Sequence, residues 1–304
     1  MRYDTVPGLP IQLSTLVLGT YGLTDPATAF PVMDAYVASG GNCLDTAYVY
    51  SGGDSERTLG AWLEQRGIRD ELVVIGKGAH TPECFPEMVG KQLDLSLDRL
   101  RTDHVDVYML HRDNPEVPVG EFVAALAEQQ DQGRIGVYGV SNWSLGRVAE
   151  ANAWAEAHGR SKIVAVSNHL SLVEMVRIPW PGVVASSDAD SRERLARDGL
   201  ALFPWSTLAH GLFAPGGVER AQRGEGALGS WYSPENVARV RRAEELAARR
   251  GTTAAAIAVA FVLAQPFPTF PLIGPLTLEE LSSSLQAAEL ALSRAELTML
   301  LEGS

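Results

Sequence analysis

Short runs of apolar residues alternate along the chain with longer segments in which apolar and polar positions recur at helical spacing. The runs cover residues 16–19, 42–46, 72–76, 105–110, 135–140, 163–166, 201–203 and 269–273. Each is short and nearly continuously apolar, the pattern of a parallel strand buried on both faces. Helical periodicity fills the intervals over residues 27–39, 55–65, 86–97, 120–132, 145–157, 191–197, 234–250 and 278–285, with an extra helix over 253–264 before the last run. Asp25-Pro26, Ser144 and Ser233-Pro234 supply polar N-caps, two of them followed by proline in the first turn. Gly40, Gly133 and Gly251 stand where left-handed C-terminal caps belong. Strict alternation of strand and helix implies a parallel sheet, and eight repeats predict a closed (β/α)8 TIM barrel of α/β class over an open doubly wound sheet. Two segments interrupt the rhythm. Residues 170–190, with Pro179-Trp180-Pro181, read as a loop, and residues 209–231, with six glycines, as a mobile loop.

The chain has 304 residues, 46% of them hydrophobic, enough for one such barrel, read as one domain over 1–304. The formal net charge of −12 and the absence of a basic face argue against nucleic acid as a partner. The two cysteines, Cys43 and Cys84, are too few for a disulfide framework. No apolar stretch is long enough for a membrane span, and Met1-Arg2-Tyr3-Asp4 does not open a signal peptide. The expectation is a cytoplasmic protein with no membrane partner. Without heptads or an interface stripe, a monomer is the default.

In a barrel of this type chemistry collects where the strands end. After the second run comes Asp45-Thr46-Ala47-Tyr48-Val49-Tyr50, after the third Lys77, and after the fourth His111-Arg112-Asp113-Asn114. Ser141-Asn142-Trp143 follows the fifth, Ser167-Asn168 the sixth, and Trp205-Ser206 the seventh. An acid, a phenol, an amine and an imidazole therefore converge on one mouth. Carbonyl reduction needs that set, because hydride arriving at carbon leaves an oxygen that must take a proton. A free phenol has a pKa near 10. A neighbouring ammonium, Lys77, lowers it, Asp45 holds the lysine, and His111 orients the carbonyl oxygen. Taken singly, Asp45 reads as a turn residue, Tyr48 and Tyr50 as rim aromatics and His111 as a satisfied histidine. Lys77, one of three lysines in the chain, resists that reading, since a lysine aimed into a barrel mouth requires an anionic partner.

Over nearly its whole length the sequence resembles the aldo-keto reductase family. Gly41-Asn42-Cys43-Leu44-Asp45-Thr46-Ala47-Tyr48-Val49-Tyr50, continued by Gly52-Gly53-Asp54-Ser55-Glu56, is similar to the family's first signature. Val105 to His111 resembles the segment carrying the family histidine, and Gly139-Val140-Ser141-Asn142-Trp143 the segment that binds the nicotinamide carboxamide. The resemblance implies an NAD(P)(H)-dependent oxidoreductase with a catalytic tetrad of Asp45, Tyr50, Lys77 and His111, Tyr50 being the general acid/base. It implies a cofactor lying across the mouth against Gly19, Thr20, Tyr21, Asp45, Ser141, Asn142, Ser167, Trp205, Ser206, Leu208, Gly274, Glu280 and Ser284, with the Trp205 ring against the nicotinamide. The absence of a G-x-G-x-x-G fingerprint agrees with that placement.

Three positions depart from the family pattern. Ser167 stands where a glutamine contacts the carboxamide, and Ser284 where an asparagine contacts adenine. The last loop, Gly274-Pro275-Leu276-Thr277-Leu278-Glu279-Glu280, offers no cation for a 2′-phosphate. Because Glu280 would repel that phosphate and could accept from a free 2′-hydroxyl, NAD(H) is expected to serve at least as well as NADP(H). Tyr21, Tyr50, His80, His111, Arg112, Trp143 and Trp180, with Trp231 beside them, are the expected substrate pocket. Aromatic walls with polar tips suit a sugar, a cyclitol or a polar ketone, and an aromatic aldehyde nearly as well. Two other functions compete: a metal-dependent hydrolase using His80, His111, Asp45 and Asp113, and a cofactor-sensing binding protein without turnover. The first lacks clustered metal histidines, so no metal is expected.

Overall fold

Each apolar run folds as one strand of an eight-stranded parallel sheet in the computed structural model, which describes residues 1–303. An antiparallel hairpin, β1 (Tyr3–Asp4) and β2 (Leu13–Ser14), precedes the sheet. The wall strands are β3 (Val17–Gly19), β4 (Cys43–Asp45), β5 (Val73–Gly78), β6 (Val105–Leu110), β7 (Ile135–Ser141), β8 (Ala165–Ser167), β9 (Ala201–Leu202) and β10 (Leu272–Ile273). Their order is β10-β3-β4-β5-β6-β7-β8-β9. The ring closes between β9 and β10: Leu202 N donates to Pro268 O at 2.9 Å, Phe270 N to Leu202 O at 2.8 Å, and Leu272 N to Pro204 O at 3.0 Å. The seventh and eighth strands are shorter than their apolar runs because prolines interrupt the ladder. Pro204, Pro268 and Pro271 have no N–H to give.

The helices packed around the wall are α1 (Pro26–Ala38), α2 (Asp54–Arg66), α3 (Pro86–Leu100), α4 (Val119–Asp131), α5 (Leu145–Ala157), α6 (Ala189–Asp198), α7 (Gly217–Gln222), α8 (Pro234–Arg250), α9 (Ala254–Leu263), α10 (Leu278–Leu285) and α11 (Arg294–Glu302). Asp25, Ser144 and Ser233 cap α1, α5 and α8 through their side chains, as expected. Gly40, Gly133 and Gly251 take the left-handed φ that their capping places require. Among the described residues no single helix is long and apolar enough to cross a membrane.

Side chains alternate along each strand, and this alternation builds the site. Outward residues such as Leu44, Val74, Tyr108 and Val166 pack beneath the helices. Inward residues Val17, Cys43, Val73, Ile75, Val107, Met109, Val137, Ala165, Ala201, Phe203 and Phe270 fill the lumen, with Val6 and Leu13 of the hairpin segment added from the other end. The barrel is therefore packed, not open. Continuing the same inward register one step beyond the apolar filling gives Asp45 after Cys43, Lys77 after Ile75, His111 after Met109 and Ser167 after Ala165.

Three features differ from expectation. The hairpin is too short to show a strand pattern. The segment 209–231 is a packed structure: it contains α7 and buries Leu212, Phe213, Leu228 and Trp231. Its glycines serve close packing as well as turning; a Cβ on Gly217 would lie 2.4 Å from the carbonyl oxygens of Gly211 and Leu212. The terminal helix α11 is opened by Ser293 and Glu296, which cap each other reciprocally.

Candidate active site

Past β4 the chain runs alongside β5, Thr46 N donating to Ile75 O and Tyr48 N to Lys77 O, both at 2.8 Å. It then turns sharply at Tyr50. Ser51, Gly52 and Gly53 all have left-handed φ (49°, 65° and 93°). Arg99 of α3 secures this turn, Nη1 donating to Tyr48 O and to Glu56 Oε2, each at 2.9 Å. A Cβ at Gly53 would sit 2.5 Å from the Arg99 guanidinium carbon, so no larger residue fits there without displacing the clamp. Glu56 is fully buried.

The turn delivers the Tyr50 hydroxyl to Lys77. Lys77 Nζ donates to Asp45 Oδ1 at 2.5 Å, to Thr46 O at 3.0 Å and to Tyr50 Oη at 3.2 Å. Lys77 and Asp45 are each 2% exposed. Burial opposes the Lys77 charge, but Asp45 and then Tyr50 outweigh it and hold the ammonium above its ordinary range. Burial raises the Asp45 carboxyl against the pull of Lys77. The Tyr50 phenol also stands above its ordinary value: burial dominates, and Lys77 pulls against it as expected without prevailing. Burial thus favours the protonated phenol. His111 is pushed well below the usual imidazole range by burial and by the charges of Lys77 and Arg112. It stays neutral, with its ring 5.7 Å from that of Tyr50 and Nδ1 without a protein partner.

The residues expected to hold a cofactor surround this group. Ser141 and Ser167 are register partners at the ends of β7 and β8. Ser141 Oγ donates to Ser167 O at 2.9 Å, while Ser167 Oγ is buried with no partner. Thr20 Oγ1, just past Gly19 at the end of β3, is likewise buried and unpartnered. Asn142, at left-handed φ, is more committed than its motif suggests. Its Oδ1 accepts from Trp205 Nε1 at 3.1 Å and from Val184 N at 3.2 Å, and its Nδ2 donates to Ser141 Oγ at 2.9 Å. It thus fixes the plane of the half-buried Trp205 ring. Ser206 has φ 52° and its carbonyl accepts from Ala209 N, and Leu208 packs against the core. Gly274 is exposed at the end of β10. On α10, Ser284 is buried, and exposed Glu280 reaches back to accept from Leu276 N at 2.7 Å.

Two aromatic rows flank the mouth. One runs Tyr21, Tyr50, His111, His80 at centroid steps of 5.3, 5.7 and 4.9 Å. The other joins Trp205 to Trp180 at 6.0 Å, Trp180 to His210 at 5.1 Å and His210 to Trp231 at 5.4 Å. Tyr21 and Trp180 are exposed at the rim. Trp143 does not belong to the pocket wall. It is fully buried, its ring edge-on to Phe122, and its Nε1 donates to Arg112 O at 3.0 Å, because the chain turns outward after Asn142. Trp231 is also fully buried and donates to His169 Nε2 at 3.1 Å. His169 and His210 were not singled out from sequence; the one available signal was that His169 follows Asn168 at a strand end. The carboxylates of the hydrolase reading are spent on cations, Asp45 on Lys77 and Asp113 on Arg147 at 2.9 Å.

An acid, an amine and a phenol are thus in contact at the carboxyl end of a packed barrel. Residues 15–302 match the family model described as the aldo/keto reductase family, and the chain belongs to that family of oxidoreductases. It is similar to norsolorinic acid reductase A of Aspergillus parasiticus, 29% identical over 96% of this chain and 78% of that one. It is 30% identical to the oxidoreductase YrpG of Bacillus subtilis, over 99% and 95% of the two chains. The aryl-alcohol dehydrogenase [NADP(+)] of Phanerodontia chrysosporium is 28% identical over 96% and 81%. Among solved structures, the thermostable aldo-keto reductase Tm1743, in complex with the inhibitor epalrestat, superposes with a TM-score of 0.76 at 25% identity, covering 100% of both chains.

Proposed function

We propose that the protein interconverts an aromatic aldehyde or ketone and its alcohol, with Tyr50 giving and taking the proton and Asp45, Lys77 and His111 supporting it. The observation that carries this reading is the Asp45–Lys77–Tyr50 chain, with contacts of 2.5 and 3.2 Å and both charged side chains buried. The residues present suit a nicotinamide cofactor: buried Ser167 Oγ and Thr20 Oγ1 lack partners, and Trp205 offers a ring face held in place by Asn142. When bound, that cofactor supplies or accepts the hydride. The chain's own residues do the rest. Neutral His111 turns an N–H toward the carbonyl oxygen and aligns it. Tyr50 passes its proton to that oxygen as negative charge builds there. Lys77, its ammonium secured by Asp45, stabilises the phenolate left behind. The two aromatic rows favour a flat ring substrate, in line with the aryl-alcohol relative. Consumption of reduced nicotinamide with benzaldehydes, followed by absorbance, tests the reading. Cofactor binding without turnover of any aldehyde, ketone or polyol would replace it with the sensor reading.

For cofactor choice we propose that NAD(H) is used at least as well as NADP(H), although the Phanerodontia relative is named for NADP(+). Leu276 and Glu280 present an apolar chain and a carboxylate at the loop that would face the 2′-position, and no cation accompanies them. Glu280→Arg is expected to move the NADPH/NADH ratio of kcat/KM toward NADPH by about tenfold, ~1.4 kcal/mol. A wild-type protein that already prefers NADPH tenfold would refute the assignment.

A further inference from the structure

Arg112 is a buried cation that the proton chemistry does not use. It is 8% exposed, and among the described residues no carboxylate lies within ion-pairing distance of it. Its neighbour Asp113 is taken by Arg147. A guanidinium has five N–H groups. Here one is satisfied, Nη1 donating to His111 O at 3.0 Å, while Nε is buried with no partner. Burying a charge in this state is costly unless something completes its hydrogen bonds.

The surroundings hold it in place without neutralising it. Trp143 Nε1 and Cys84 Sγ both donate to Arg112 O, at 3.0 and 3.2 Å, fixing the backbone. The loop residue Gly182 lies over the stem, a Cβ there falling 3.7 Å from Arg112 Cδ. Its Nη1 sits on the carbonyl of His111, whose ring stands 5.7 Å from that of Tyr50 and 4.9 Å from that of His80, and its charge is felt at all three side chains. Lys77 is already matched by Asp45, and the two histidines are held toward their neutral forms. The substrate side of the mouth therefore carries one unmatched positive charge, on a planar fork suited to two parallel hydrogen bonds with a carboxylate.

We propose that Arg112 is an anion anchor of the substrate pocket, and that the preferred substrates are aromatic carbonyl compounds bearing a carboxylate. The proposal rests on the reductase reading for its substrate and on Arg112 alone for its anion. A carboxylate bound there adds two charge-assisted hydrogen bonds to the one the guanidinium already makes and turns the carbonyl end of the molecule toward Tyr50 and His111.

The test compares 2-, 3- and 4-carboxybenzaldehyde with their methyl esters, in wild type, Arg112→Gln and Arg112→Lys. The expected result is that at least one acid is reduced with tenfold or higher kcat/KM than its ester by the wild type. Arg112→Gln should lower that acid-to-ester ratio at least tenfold, and Arg112→Lys should restore part of it. Because the ratio is internal to each variant, general loss of activity cancels. Calorimetric binding of benzoate against benzamide to wild-type protein with cofactor reads the same preference without turnover. Esters reduced as well as acids for all three isomers, or an unchanged ratio in Arg112→Gln, would overturn the proposal and leave the reductase reading intact. Preferential benzoate binding with no aldehyde turned over would support the anchor and remove the reductase reading; equal binding of benzoate and benzamide would overturn the anchor whatever the turnover.

Discussion

Tyr50→Phe is expected to lower kcat for carbonyl reduction by about 10²–10⁴-fold while leaving cofactor affinity within a few fold. The substitution removes one oxygen and keeps the ring, so the edge contacts with Tyr21 and His111 survive. What disappears is the hydroxyl 3.2 Å from Lys77 Nζ. The pH profile supplies a second readout. Burial holds the Tyr50 phenol above its ordinary range, so the acid form persists through neutral pH. Reduction by the wild type should hold steady there and fall only in alkali, where the phenol loses its proton. Residual activity in Tyr50→Phe should lose that alkaline limb. A variant retaining more than a tenth of wild-type kcat would place the proton donor elsewhere.

The second large effect concerns the pair beneath that tyrosine. Lys77→Met leaves Asp45 buried without its ammonium, and breaking one half of a buried ion pair costs about 3–5 kcal/mol. The double variant Asp45→Asn/Lys77→Met removes the uncompensated charge and should recover most of that stability, since a buried pair replaced as a unit is often nearly neutral. Catalysis should recover in neither, because both lack the ammonium that supports the phenolate. Denaturant midpoints and kcat measured on the same preparations check the split. Recovery of activity with stability in the double variant would show that the pair serves folding alone.

The barrel was legible because its strands are apolar on both sides and its helices carry caps. The buried ion pair, Asp45 and Lys77, was legible for a simpler reason: each continues an inward register that is apolar one step earlier, at Cys43 and Ile75. A charge in that register can only face the mouth. Other features depend on partners distant in sequence and leave no local trace. Trp143 reads as a pocket residue, yet its ring is buried away from the mouth and its Nε1 donates to the Arg112 carbonyl, 31 residues away. Asn142 reads as a cofactor ligand, yet its oxygen is occupied by Trp205 and Val184. The pull of Lys77 on the Tyr50 phenol was legible, while the depth of burial that outweighs it was not. The terminal helix, by contrast, had a readable signal in the Ser293–Glu296 capping pair.

The wall of the barrel is uneven, and this bears on how it breathes. β5, β6 and β7 run for 6, 6 and 7 residues, whereas β9 and β10 have 2 each. Local opening costs least where few backbone bonds must break together. Backbone amides of β6 and β7 should therefore exchange with deuterium most slowly, and those of Leu202, Phe270 and Leu272 at the β9–β10 seam fastest among the wall strands; uniform exchange around the ring would contradict this. The soft seam carries Trp205–Leu208 and Gly274–Ser284, while the stiff arc carries Lys77, His111 and Ser141. One side of the molecule is then the easier to open, while the other keeps Lys77, His111 and Ser141 in register.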